Sequence, residues 1–242
     1  MKDEKFALYG IIGCPVGHTL SPALHNAAFS ALGMNARYVP FHVPAENLAA
    51  AVGGIRGLGI RGVNVTAPHK VSVVEHLDRL EPAAERLGAV NTIHSEDGVL
   101  VGYNTDGRGF IESLRREKVE VAGRHVVVIG AGGAARAVVH AAALEKPASI
   151  TIVNRTLPKA EKLAAELSGG GTAVTAAPLD GNVDTVIGKC DICINCTPLG
   201  LRPGDPAPAP TGRVTERHVL VDLVYNPPQT RFLREGKMRG AA

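Results

Sequence analysis

The sequence predicts an α/β chain of two domains, the second built on a parallel sheet. Three observations lead there. Short apolar runs alternate with amphipathic segments almost from end to end, the pattern of strands joined by helices. The 242 residues are too many for an average single domain and suit one large or two modest ones. The run Val126-Val127-Val128-Ile129 is followed at once by a glycine turn and a long helical stretch, the start of a parallel strand–helix–strand unit.

The elements follow in order. Phe6 to Ile12 reads as a strand. Ser21-Pro22 opens a helix to about Leu32, with serine as the cap and proline at the first helical position. Arg37 to Val43 is a strand, Ala45 to Ile55 an alanine-rich helix, and Gly62 to Val65 a third strand segment. Pro68 starts a short helix, and Pro82 starts another that stops at Gly88. Asn91 to His94 and Val99 to Tyr103 pair around the turn Glu96-Asp97-Gly98, and a helix runs from Thr105 to Lys118. After Gly123 come a strand at His125 to Ile129, a helix to about Leu144 and a strand at Ser149 to Val153. The helix Pro158 to Leu167 ends at Ser168-Gly169-Gly170-Gly171. Asp191 to Asn195 and Val219 to Val224 are the last strands. Between them, the proline-rich stretch Pro203 to Pro210 is a loop, because proline lacks the ladder donor. The expected domains are residues 1–106 and 107–242, with a cleft between them.

Composition excludes several classes. A chain 45% hydrophobic and 20% charged has enough apolar side chains to offset chain entropy, so it is not disordered. A net charge of +3 leaves no basic footprint for nucleic acid, and 4% aromatics with no Trp leave few stacking platforms. The most apolar stretch, Val126 to Leu144, is broken by three glycines, Arg136 and His140, so no membrane span is expected. The opening Met1-Lys2-Asp3-Glu4-Lys5 sets two acids against two lysines, unlike the positive start of a secretory leader. Four cysteines are too few for a disulfide scaffold, and a reducing cytoplasm is the expected compartment. Assembly is expected to be a monomer or homodimer.

Two groups of residues carry chemistry. In the second half, Gly130-Ala131-Gly132-Gly133-Ala134-Ala135 follows a buried strand and starts a helix. Gly130 permits the tight turn, Gly132 lets the backbone approach a pyrophosphate, and Ala135 allows close packing of helix on sheet. The next strand ends in Asn154-Arg155-Thr156 in place of the acid that binds the ribose hydroxyls of NAD. An acid would repel a 2′-phosphate, whereas Arg155 can fork around one and Thr156 can add a hydroxyl, so NADP is favoured. In the first half, Gly13 to Pro22 sets the hydroxyls of Thr19 and Ser21 beside a helix start, a place that suits a small carboxylate. Asn64-Val65-Thr66-Ala67-Pro68-His69-Lys70 ends a strand with one lysine. Gly88 to Thr92 and Gly102 to Asp106 supply amides, hydroxyls and one acid.

In this order, these clusters closely resemble the shikimate dehydrogenase family. Its early pattern is met by Pro15, His18, Thr19, Ser21, Pro22, His25 and Asn26, and its Asn-Val-Thr-x-Pro-x-Lys motif at Asn64 to Lys70. Its Gly-Ala-x-Asn-Thr and Asn-Thr-Asp motifs fall at Gly88 to Thr92 and Asn104 to Asp106. Asn195 to Gly200 and Asp222 to Pro227 look like its later signatures, so the resemblance runs from about residue 7 to 235. It implies an N-terminal α/β substrate domain and a Rossmann-like NADP-binding domain. It also implies reversible reduction of 3-dehydroshikimate to shikimate by NADPH. Lys70 and Asp106 would be the catalytic pair. Thr19 and Ser21 would take the substrate carboxylate, and Thr66 and Asn91 its ring hydroxyls. Leu223 and Tyr225 would border nicotinamide and substrate.

The family usually has serine where Thr19 stands. Its Gly-x-Gly-Met segment and returning final helix are not met before Gly240-Ala241-Ala242, so the pocket is expected to lack that wall. A quinate or quinate/shikimate enzyme is the alternative within the family, and Arg155 favours the first reading. A ligand-binding module without turnover is the alternative outside enzymes, and the intact Lys70 and Asp106 speak against it.

Other side chains read as structural. Cys190, Cys193 and Cys196 have a metal-like spacing, but on a strand from Asp191 to Asn195 alternation puts Cys193 opposite the other two. No metal is therefore expected. His18 is a candidate for a supporting hydrogen bond, while His69 and His76 read as surface side chains.

Overall fold

The computed structural model describes residues 6–17, 19–168 and 171–242. The glycines at 169 and 170, His18 and the first five residues, to which the helix-end, hydrogen-bond and leader readings belong, lie outside the described residues. The chain divides into two compact units, Met1–Thr105 and Asp106–Ala242.

The first unit is a six-stranded sheet in the order β2-β1-β3-β5-β6-β4. Strands β1 (Ala7–Gly13), β2 (Ala36–His42) and β3 (Gly62–Val65) are mutually parallel. Strands β5 (Thr92–Glu96) and β6 (Val99–Tyr103) form the hairpin expected around Asp97-Gly98, with β5 antiparallel to β3. A two-residue strand, β4 (Arg79–Leu80), adds at the edge. The period of two assigns the faces. Leu8, Ile12, Phe41, Val63, Val65 and Ile93 point to one side, where they meet Leu48, Val52 and Ile55 of α2 (Leu48–Gly57). Tyr9, Ile11 and Tyr38 point to the other, against Phe29 of α1 (Ser21–Ala31).

The second unit has three layers around an all-parallel sheet in the order β11-β10-β7-β8-β9. The strands are β7 (His125–Ile129), β8 (Ser149–Asn154), β9 (Ala173–Pro178), β10 (Ile192–Asn195) and β11 (Val219–Asp222). Val126, Val128, Ile192 and Ile194 face α4 (Asp106–Arg116), α5 (Gly133–Leu144) and α6 (Leu157–Leu167). Val127, Ile129, Cys193 and Leu220 face α7 (Val183–Ile187) and α8 (Arg231–Met238). In the first unit, α3 (Pro82–Leu87) ends at the left-handed Gly88 as its sequence predicts.

The differences from expectation have local causes. Ser21 is the first helical residue and not the cap, which is Leu20, because the Ser21 N–H bonds the Thr19 hydroxyl at 3.2 Å. No helix starts at Pro68. That stretch is a turn, closed by the His69 N–H on the Thr66 carbonyl at 3.0 Å, and a 3₁₀ turn follows at Ser72–His76. His69 is not a surface residue; it is 1% exposed, with its Nε2 2.6 Å from the Val43 carbonyl. Cys190 precedes β10, so strand alternation does not reach it. Cys190 packs in the same cluster as Cys193, and Cys196 packs against the opposite one. The hydrogen bond with Cys190, and then burial, push the Cys193 thiol well above the usual thiol range.

Candidate active site

In the first unit, topology gathers the predicted residues at one sheet edge. Parallel β1 and β3 end there, antiparallel β5 begins there, and β6 ends there. Backbone bonds fix the connecting loops to one another. The Thr66 N–H reaches the Ile12 carbonyl at 3.0 Å, the Val65 N–H the Asn91 carbonyl at 2.8 Å, and the Val90 N–H the Lys70 carbonyl at 2.8 Å. Lys70 is therefore held at its backbone while its side chain is half-buried. Asn91 is buried; its Nδ2 donates to the Thr105 hydroxyl at 2.9 Å, and its Oδ1 accepts from the Thr105 N–H at 2.9 Å. The Thr19 hydroxyl donates to Ser21 Oγ at 3.0 Å, so these two form one hydroxyl pair beside the first turn of α1. Burial pushes the Tyr38 phenol up, and a hydrogen bond from Ser21 offsets part of that rise. Asp106 follows Thr105 as the first residue of α4, where its carboxylate complements the helix dipole.

In the second unit, strand order reverses between β7 and β10, the switch point at which open parallel sheets bind ligands. The glycine loop lies there. Gly130 has φ +111°, and a Cβ on it would stand 3.2 Å from Thr197 Cγ2 and 3.3 Å from the Cys196 carbonyl carbon. Only glycine suits that turn. Ala131 leads to Gly132, the cap of α5, which supplies no side-chain hydrogen bond. The first N–H groups of α5, from Gly133 and Ala134 onward, are thus left for an anion. A Cβ on Gly132 or Gly133 would meet nothing within 4 Å, so the approach is open. At the end of β8, Asn154 Nδ2 donates to the Thr156 carbonyl at 2.8 Å and tightens the turn that presents Arg155. Arg155 and Thr156 are exposed. These residues fit NADP, with amides for the pyrophosphate and an exposed guanidinium for the 2′-phosphate.

The far wall of the switch point is knitted by residues to which sequence reasoning gave no individual role. Asn195 is fully buried; its Oδ1 accepts from the Thr197 N–H at 2.9 Å, and its Nδ2 donates to Asp222 Oδ1 at 2.9 Å. Thr230 closes the knot by donating to Asp222 Oδ2 at 2.6 Å. Leu223 is fixed by its N–H on the Asn195 carbonyl at 3.1 Å, and Tyr225, 64% exposed, follows it. The available signal was an asparagine and an aspartate at the ends of adjacent strands. Among the described residues, no cluster of His, Cys, Asp or Glu is arranged to hold a metal ion.

A glycine loop at the switch point of a parallel sheet, with a separate unit presenting a lysine among hydroxyls and amides, defines the class of two-unit nucleotide-dependent α/β oxidoreductases. Comparison with known proteins narrows it. Residues 11–93 match the shikimate dehydrogenase substrate binding domain, and residues 113–201 match the shikimate / quinate 5-dehydrogenase domain. The NADP(+) shikimate dehydrogenase of Symbiobacterium thermophilum is 47% identical over 239 residues, covering 96% of this chain and 81% of that protein. Among solved structures, a shikimate dehydrogenase in complex with NADP+ superposes with a TM-score of 0.90 at 41% identity, covering 100% of this chain and 84% of that one. The 5-ketofructose reductase of a Gluconobacter strain has a TM-score of 0.87 at 38% identity, covering 98% and 86%. The chain belongs to the shikimate dehydrogenase family.

Proposed function

We propose that this chain catalyses the reversible reduction of 3-dehydroshikimate to shikimate, with Lys70 and Asp106 as the catalytic residues. It is an NADP-dependent shikimate dehydrogenase, an oxidoreductase acting on a CH–OH group. The observation that carries the site reading is the gathering of Thr19, Ser21, Thr66, Lys70 and Asn91 at one sheet edge. NADPH, when bound, supplies the hydride to the carbonyl carbon. The Lys70 ammonium gives its proton to the carbonyl oxygen as that charge develops, and in the oxidative direction the neutral amine takes the proton from the alcohol. Asp106 orients the lysine and a ring hydroxyl. The hydroxyls of Thr19 and Ser21 hold the substrate carboxylate without a permanent counter-charge, and the Thr66 hydroxyl and Asn91 amide read the remaining ring hydroxyls. Leu223 and Tyr225 border the reacting rings.

The glycine loop, Asn154, Arg155 and Thr156 hold the dinucleotide. Among the described residues no helix is long and apolar enough to cross a membrane, and all four cysteines are free, which supports a reducing, cytoplasmic setting. The working form is a monomer or homodimer.

The test is steady-state oxidation of shikimate by wild type, Lys70→Ala and Asp106→Asn. Loss of a general acid–base is expected to lower kcat about 10²- to 10⁴-fold in Lys70→Ala. A folded Lys70→Ala protein with wild-type kcat would remove Lys70 from the mechanism.

A further inference from the structure

The mechanism above gives no role to Tyr38, a buried titratable group at the first-unit site. Tyr38 is 3% exposed on β2, on the sheet face that carries α1. Its ring stacks on His25 with centroids 4.3 Å apart and planes at 7°. Its backbone is clamped by Asn26, whose amide donates to the Tyr38 carbonyl and accepts from its N–H, each at 2.9 Å. A ring so fixed delivers its hydroxyl to one place. That hydroxyl crosses β1 and donates to Asn64 Oδ1 at 2.6 Å. It also takes the hydrogen bond from Ser21.

The Asn64 amide is fully engaged. Its Nδ2 donates to the Thr92 hydroxyl at 3.1 Å and to the Asn91 carbonyl at 3.3 Å. The Thr92 hydroxyl donates in turn to Asn91 Oδ1 at 3.1 Å. Hydrogen bonds thus lead from Tyr38 through Asn64 and Thr92 to Asn91, and Ser21, paired with Thr19, bonds the Tyr38 hydroxyl at the other end. The two ends of that chain are the hydroxyls assigned to the substrate carboxylate and the amide assigned to a ring hydroxyl.

We propose that Tyr38 is a positioning residue that fixes the distance and orientation between the carboxylate-binding hydroxyls and the ring-reading Asn91, and so sets affinity for a hydroxylated ring acid. This rests on the substrate reading given above. On that reading the Tyr38 hydroxyl acts on the binding groups and not on the reacting carbon. Its loss removes binding shared by ground and transition states, which raises KM with little change in kcat.

The experiment compares wild type, Tyr38→Phe, Ser21→Ala and the double variant, with steady-state kinetics and calorimetric titration of shikimate. Phenylalanine keeps the stack on His25 and removes only the hydroxyl. The expected result is a rise in shikimate KM and Kd of about three- to tenfold, the size of one neutral hydrogen bond. The KM for NADP+ and kcat should stay within about twofold, because the change is in uniform binding. The double variant should bind shikimate no more weakly than Ser21→Ala alone, since both changes cut the same link. Unchanged shikimate affinity in Tyr38→Phe overturns the proposal, as does a double variant in which the two effects add. Should Tyr38→Phe fail to fold, Thr92→Val cuts the same chain one step on, and wild-type affinity in that variant overturns it equally. If wild type binds no shikimate, the substrate reading itself fails; wild-type binding unaltered by the variants refutes only the role of Tyr38.

Discussion

The glycine loop offers a paired substitution whose two halves should behave differently. Gly130→Ala places a side chain at φ +111°, outside the conformations that L residues favour, at a cost of about 1–3 kcal/mol. The new Cβ would also lie 3.2 Å from Thr197 Cγ2 and 3.3 Å from the Cys196 carbonyl carbon and oxygen. Those neighbours cannot readily yield. Cys196 contributes backbone, and the Thr197 hydroxyl is tied to buried Asn195 Oδ1 at 2.7 Å. Crowding of that size adds about 1 kcal/mol. The sum, about 2–4 kcal/mol, corresponds to a melting temperature lowered by about 6–12 °C for a protein of this size. Gly132→Ala is the counterpart. Gly132 has φ −90°, and its Cβ would meet nothing within 4 Å, so the melting temperature should not move. That methyl would instead stand where the backbone approaches the pyrophosphate, so NADP+ affinity should fall at least about tenfold, by the logic of close backbone approach. Thermal unfolding with and without NADP+, together with calorimetric titration, reads both effects. A Gly130→Ala protein that melts like wild type, or a Gly132→Ala protein that binds NADP+ like wild type, would refute this account of the loop.

Three further predictions bear on separate features. Arg155→Ala removes the cation assigned to the 2′-phosphate and should raise the KM for NADP+ about 10- to 100-fold, the worth of a charged hydrogen bond, while leaving that for NAD+ unchanged; equal loss with both cofactors would count against it. Gly107→Ala would bring a Cβ within 2.7 Å of the Ala137 carbonyl oxygen at the α4–α5 crossing, and should lower stability by about 1–3 kcal/mol by urea unfolding. Arg231 and then the Thr211 hydroxyl hold the Glu235 carboxyl below the usual carboxylate range, against some desolvation. A lowered folded value stabilises the protein above the unfolded value and loses that contribution as pH falls through the folded one. Glu235→Gln should therefore be less stable than wild type near neutral pH, with the gap closing on acidification below the ordinary glutamate range; a gap independent of pH would contradict the assignment.

How far residues announce structure depends on how much their role is local. The strand His125–Ile129 and the loop after it were readable because a fully apolar run, a glycine turn and a helix start require one another in that order. The hairpin at Asp97-Gly98 and the stop at Gly88 were readable for the same local reason. Strand β9 was not, because Ala173 to Pro178 is an edge strand of small residues and a proline, with little side-chain signal for a sheet. Helix α8 escaped although Thr230 caps it, because its face is set by Phe232 reaching a distant cluster. His69 escaped because its burial depends on the Val43 carbonyl, which lies on another strand connection. Motif order supplied the individual site candidates, but the link between Tyr38 and Asn64 exists only once β2, β1 and β3 lie side by side. The likeness to a 5-ketofructose reductase makes a related point. A shared fold leaves substrate choice to the side chains of the site.

NADPH formation when the whole chain meets shikimate and NADP+, with quinate and NAD+ in parallel, decides whether this is a shikimate dehydrogenase at work. Turnover with shikimate and NADP+ should stand well above either replacement. A folded chain that binds NADP+ but forms no NADPH from shikimate, or that prefers quinate with NAD+, would contradict that reading.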